Sequence, residues 1–124
     1  MLPRTARMRR PEEFRHVMRR GVRFGRRTLV VHAAPARVQG VQVGFVVAKA
    51  VGNAVTRNRV RRRLRHLVQP HLAGTPDHTA VVVRALPAAA GAPADLPGDL
   101  AVAWEKTLKR LDQRSVSQTV AAPS

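Results

Sequence analysis

The sequence predicts a single small α+β domain, and three observations carry that reading. Apolar residues recur with helical spacing in three segments and with strand character in others, in the order helix, hairpin, helix, strand, helix. The chain has 124 residues, 44% of them hydrophobic, enough for one domain with a modest core. No internal repeat interrupts that order. One domain is therefore expected over residues 1–124, with its ordered core at about 9–112.

Residues 1–10 are expected to be an irregular, mobile arm. Pro11 then suits the first position of a helix, with Glu12 and Glu13 in the first turn, where the helix dipole favours anions. Phe14, Val17 and Met18 make one apolar stripe, and Gly21 is a good stop, so the first helix is expected from about Glu12 to Arg20. Val22–Phe24 suits a short additional strand. Thr28–Ala34 is β-branched and apolar and reads as a strand closed by Pro35. Gln42–Ala48 reads as its hairpin partner, with Val43, Phe45 and Val47 on one face.

Residues 52–72 change to helical period. Val60, Leu64, Leu67 and Val68 fill one arc, and Pro70 is expected to end the helix. Residues 73–78 read as a polar loop, and Thr79–Arg84 as another strand. Residues 85–97, rich in Ala, Pro and Gly, read as a loop. Leu100, Ala103, Trp104, Leu108 and Leu111 mark a last helix from about Gly98 to Gln113, followed by a frayed tail over 114–124.

Charge narrows the function. The 23 Lys and Arg against 7 Asp and Glu give a formal net charge of +16. All of it lies in residues 1–76, which hold 18 basic and 2 acidic residues, and no acid stands between Glu13 and Asp77. Such a stretch repels itself unless a polyanion neutralises it, which favours nucleic acid over an anionic membrane surface. Arginine supplies 20 of the cations. A GC-rich genome and selection for forked phosphate contacts both account for that. There is no cysteine, hence no disulfide framework and no thiolate zinc site. No apolar stretch approaches the length of a secretory core or a bilayer span, so the expected compartment is the cytoplasm.

The densest signal is Gly52-Asn53-Ala54-Val55-Thr56-Arg57-Asn58-Arg59-Val60-Arg61-Arg62-Arg63-Leu64-Arg65, with six arginines in nine positions. An apolar seam would dock this helix while the arginines form a ridge for phosphates. A solvated charged face is the other reading, but no Glu is interleaved to pair with the arginines. Phe14, Phe45 and His32 suit either packing or contact with unpaired bases. No carboxylate cluster, metal-ligand spacing or phosphate loop appears, so on its own residues the chain reads as a binder.

The string GNAVTRNRVRRRLRH, with RMRRPEEFRHVMRRG before it and VVVRALPAAA after it, resembles the bacterial ribonuclease P protein subunit family over roughly residues 4–112. The resemblance implies an αβββαβα sandwich with a left-handed βαβ crossover, against the usual right-handed rule. It implies a catalytic RNA as partner, magnesium held mainly by that RNA, and removal of the 5′ leader from precursor tRNA by the RNA–protein holoenzyme. Carried over by position, Asn53, Arg57, Asn58, Arg59, Arg61, Arg62 and Arg65 would face the RNA subunit. Phe14, Met18, His32, Phe45 and Lys49 would line a groove for the single-stranded leader. The chain departs from the family pattern at Ala48-Lys49-Ala50, where Ser-Lys-Lys or Ser-Lys-Arg is common. Met18 stands where a second Phe is common, and His32 where Tyr occurs. A basic ribosomal or other structural RNA-binding protein, and an autonomous nuclease, are the competing readings.

Overall fold

The computed structural model describes residues 7–121. In chain order these form α1 (Pro11–Arg20), β1 (Val22–Gly25), β2 (Leu29–Pro35), β3 (Val41–Val46), a 3-10 turn (Lys49–Val51), α2 (Ala54–Leu72), β4 (Thr79–Ala85), a short α3 (Ala88–Gly91), a second 3-10 turn (Pro93–Asp95) and α4 (Leu96–Ala121). The α+β class and the single domain agree with expectation.

The expected hairpin between Thr28–Ala34 and Gln42–Ala48 does not form. The sheet order is β1-β2-β4-β3, so β4 separates β2 from β3. The real hairpin is β1 with β2, and β2 pairs antiparallel with β4. Residue composition explains the insertion. β4 is apolar almost throughout and buried on both faces, which only a central strand allows. β3 runs parallel to β4, so the chain between them must cross over, and α2 is that crossover.

One face of the sheet packs against α2 and α4. Leu29, Val31, Val43, Val81 and Val83 from the strands meet Val60, Leu64 and Val68 of α2, and Leu96, Leu100 and Trp104 of α4. The expected seam of α2 is thus its buried face, with Leu67 half-buried beside it. Among the described residues, the other face carries α1, whose Val17 and Phe14 pack with Met8 of the arm and with Ala34, Val82 and Val46.

Four boundaries differ from expectation. Pro70 lies inside α2, which ends two residues later. A proline in the last turn forfeits one hydrogen bond. Leu72 packing on the core keeps the turn, as does Thr75, whose hydroxyl donates to His71 O at 2.7 Å. Trp104 Nε1 donates to the same hydroxyl at 3.0 Å, tying α4 to the end of α2. Residues 85–97 are not a loop but hold α3, a 3-10 turn and the start of α4. Alanine is the best helix former, and Ala89 and Leu96 have core to reach. α4 also runs past Gln113 to Ala121. At the N-terminus, the arm is fixed from Arg7 onward. Arg7 bridges Val43, and the Met8 N–H donates to Val43 O at 2.8 Å with its side chain buried on the sheet edge. The rest of the expected arm and the last residues of the expected tail, 1–6 and 122–124, lie outside the described residues.

Asp99 locks the β1–β2 turn to α4. It accepts from the Thr28 hydroxyl at 2.7 Å, the Thr28 N–H at 3.1 Å and Arg26 Nε at 3.4 Å. Burial alone would raise its pKa. The bonds from Thr28 and Arg26 outweigh that and hold the carboxyl below its ordinary value.

Candidate nucleic-acid interface

The start of α2 is built by two residues. Gly52 has φ +157, and a Cβ there would lie 2.8 Å from Thr56 Cγ2. Asn53 then caps the helix, its side-chain oxygen accepting from the Thr56 N–H at 2.9 Å. The expected RNA contact at Asn53 therefore shares that side chain with a structural bond. Asn58 likewise accepts from Arg61 Nη1 at 3.1 Å and orients that guanidinium.

Helical spacing sorts the arginines into stripes. Arg57, Arg61 and Arg65 are half-buried along the flank beside β3, whereas Asn58, Arg59 and Arg62 point outward and are exposed. Arg63 turns to the other flank, where its Nη2 donates to Pro93 O at 3.5 Å. Among the described residues, no arginine of α2 pairs with a carboxylate. Burial, and then the charges of Arg7, Arg61 and Arg62, push the Arg65 pKa below its ordinary value. That is the field of a cation cluster without counter-charge.

This cluster meets an aromatic ring at the β3 edge, where Arg7 bridges Val43. A cavity of about 160 Å³ there is walled by Arg7, Phe14, Phe45, Arg61 and Arg65, with Gly44 in its lining. A Cβ on Gly44 would lie 2.5 Å from Phe14 Cζ, so glycine is what lets the ring come this close to the strand. A flat ring next to several guanidinium groups suits a stacked base with its phosphate.

The five expected groove residues are only partly brought together. Phe14 is half-buried between α1 and the sheet, Met18 is 37% exposed on α1, and Lys49 is exposed on the 3-10 turn after β3. Phe45 instead packs with the α2–α4 core on the opposite face of the sheet, and reaches Phe14 only around the β3 edge. Period two had placed it with Val43 and Val47, which is where it is. His32 is on the α1 face but 3% exposed, so it is floor rather than stacking surface. Burial, and then the charges of Arg84 and Arg23, lower its pKa from 6.5 to about 4 and keep the imidazole neutral. Among the described residues its Nε2 has no hydrogen-bond partner, and neither do the buried Nε atoms of Arg7, Arg57 and Arg84.

Arg7, which walls the cavity at the β3 edge, and Arg23 and Arg84, which lie near His32, are not among the expected residues. Arg84 shares a strand face with Val82 by period two, but only the β2–β4 register brings it near His32. A larger cleft, about 300 Å³, lies at the N-terminal end of α1 and includes Glu12, Glu13, His16 and Val38. Its two carboxylates make it a poor place for phosphate. Among the described residues, no group of three or more His, Cys, Asp or Glu is placed to hold a metal ion, and no helix is long and apolar enough to cross a membrane.

Comparison with known proteins places the chain in a family. The Ribonuclease P family matches residues 2–112. The chain is 49% identical over 114 residues to the ribonuclease P protein component of a Nocardioides species, covering 90% of this chain and 95% of that protein. It is 47% identical over 120 residues to the protein component of Acidothermus cellulolyticus, covering 95% and 98% respectively. Its fold resembles the RNase P protein of Staphylococcus aureus (TM-score 0.73, 22% identity, covering 81% of this chain and 93% of that one). It also resembles that of Thermotoga maritima (TM-score 0.67, 19% identity, 77% and 91%). A match along nearly the whole length, with close to half the residues identical, means that this chain belongs to the ribonuclease P protein family.

Proposed function

We propose that the two surfaces meeting at the β3 edge divide the work of a ribonuclease P protein subunit. The outward face of α2 and its flank beside β3, with Asn53, Arg57, Asn58, Arg59, Arg61, Arg62 and Arg65, bind the catalytic RNA. The α1 groove, with Phe14, Met18 and Lys49 at its surface, His32 beneath and Phe45 at its rim, holds the 5′ leader of precursor tRNA. Contact with the leader raises affinity for precursor over mature tRNA and presents the cleavage site to the RNA. The observation that carries this is the group Arg7, Arg61 and Arg65 walling one cavity with Phe14, with the charge of Arg62 beside them, and none of the four pairs with a carboxylate among the described residues. A protein-only surface would not keep four such charges together.

Magnesium belongs, in this reading, to the RNA partner. The chain's own residues bind and orient RNA, and no step passes through a protein-held metal. The site of action is the cytoplasm, where precursor tRNA is processed. The test is cleavage of precursor tRNA by the cognate RNA subunit at low magnesium, with and without the protein. The expected result is faster cleavage with protein. Unchanged cleavage would refute the proposal.

A further inference from the structure

The far edge of the sheet carries cations that neither α2 nor the α1 groove uses. β1 is the outermost strand on the side away from β3. α4 lies along it. Near the start of α4, Asp99 holds Thr28 and Arg26, just beyond the end of β1. Further on, Arg110 Nη1 donates to Arg23 O, and Arg114 Nη1 to Arg20 O. The helix therefore runs antiparallel to β1 and lays Lys106, Arg110 and Arg114 along the edge. Their four-residue spacing puts the three on one flank, about 6 Å apart along the helix axis.

Lys106 and Arg110 are exposed and Arg114 is half-buried. Among the described residues, none of the three pairs with a carboxylate. Of the acids on α4, Asp99 is taken by Thr28 and Arg26, and helical spacing turns Glu105 and Asp112 about 100° or more away from the stripe. The Arg110 guanidinium lies 4.8 Å above the Phe24 ring. The ring and the Arg23 carbonyl fix that group in place, yet a guanidinium has five N–H donors and the carbonyl takes only one. An anion therefore meets a cation whose rotamer freedom is already lost, which spares part of the ordering cost of binding. The α1 groove opens onto this same edge. α1 crosses the sheet from Phe14, over Gly44 of β3, to Gly21, where a Cβ would lie 2.6 Å from Ala33 O of β2. β1 follows at once.

We propose that Lys106, Arg110 and Arg114 form a track along the β1 edge for the phosphates of single-stranded RNA that has already left the α1 groove. The track rests on the reading of that groove as the leader site, and it lies outside the groove on a different helix. Its contacts are to phosphate alone, so it adds affinity without reading sequence. The distances set which leaders it serves. From the β3 edge to β1 is three strand spacings, about 14 Å. Lys106 to Arg114 adds eight residues of helix, about 12 Å. A leader that ends inside the groove never reaches the track, whereas one several nucleotides longer runs along it.

The test uses holoenzyme reconstituted from the full chain and its RNA subunit. Equilibrium binding is measured at several salt concentrations for mature tRNA, for precursor tRNA whose leader ends inside the groove, and for precursor tRNA with a longer leader. The variants are K106Q, K106E and the K106Q/R110Q pair. For the wild type, the longer leader should bind more tightly and steepen the log–log salt slope by about two units, at about 0.7 for each single-strand phosphate contact. K106Q should remove about 0.7 of that increment and the pair about 1.4, with K106E weaker than K106Q. Binding of the short leader and of mature tRNA, and assembly with the RNA subunit, should be unchanged. Lys106 is exposed and makes no bond within the described residues, so K106Q keeps the fold and decides the matter alone if the pair melts early. An unchanged slope in K106Q, or an equal loss on the short leader, on mature tRNA or on assembly, would overturn the track. So would a wild type that prefers precursor over mature tRNA with the short leader but gains nothing from the longer one. A wild type with no preference for the short-leader precursor would instead overturn the groove reading beneath it.

Discussion

Acid should weaken this protein through one buried histidine. His32 is held neutral by burial and by Arg84 and Arg23, with its pKa lowered from 6.5 to about 4. In the unfolded chain it titrates normally. Between those two values the unfolded state therefore binds more protons than the native one, so stability falls as pH falls through that window. Linkage between pH 7 and pH 5 gives a loss of about 2 kcal/mol, which for a domain of this size lowers Tm by roughly 5–10 °C. Asp99 does not confound the measurement, because its carboxyl is held below an ordinary value of 3.8 and stays ionised above pH 5. The assay is urea unfolding at pH 7 and pH 5 for the wild type and H32Q, which keeps a polar side chain but does not titrate. The wild type should lose about 2 kcal/mol more than H32Q over that interval. Equal losses would refute the assignment of a neutral, desolvated His32.

Three further outcomes follow from particular contacts. R59A/R62A should weaken assembly with the RNA subunit and flatten its salt dependence by about one to two units of log–log slope, because each phosphate contact releases counterions; titrations at several salt concentrations that give parallel lines would count against α2 as the docking face. G44A should cost about 1–3 kcal/mol by overpacking against Phe14 and should reduce the preference for precursor tRNA, read by thermal melting and by competition with mature tRNA. N53A should lose about 1 kcal/mol of stability, whereas N53D, which also caps, should keep it; if N53D melts as low as N53A, the capping role is wrong.

The elements were readable where a local pattern set them. Val60, Leu64 and Val68 are the buried seam of α2, and Phe14, Val17 and Met18 mark the first helix as expected. Strand pairing was not readable, because it is a non-local choice. The β2–β3 hairpin looked natural from chain order, and only the two-sided burial of Val81, Val82 and Val83 sends β4 between them. The same limit explains the site. Asn53 belongs to a motif visible in sequence, yet its bond to Thr56 depends on local geometry. Arg23 and Arg84 lie in unrelated segments and become neighbours of His32 only through register.

The charge asymmetry takes on a structural meaning once the strands are placed. The neutral C-terminal segment supplies β4 and α4, and these hold the basic segment in shape rather than neutralise it. Asp99 pins the β1–β2 turn, and the guanidinium of Arg110 stacks on Phe24 while donating to Arg23 O. Arg114 donates to Arg20 O at the end of α1, so even cations of this segment are spent on carbonyls. Ion pairs from α4 to the arginines of α2 would have stabilised the isolated protein. In the proposed reading they would also weaken phosphate contacts by competing for the same guanidinium groups. Leaving Arg57, Arg59, Arg61, Arg62 and Arg65 without carboxylates keeps those groups available. The order of the sheet achieves this, since α4 packs on β1 and β2 at one side while α2 lies against β3 and carries its free flank away from α4's acids.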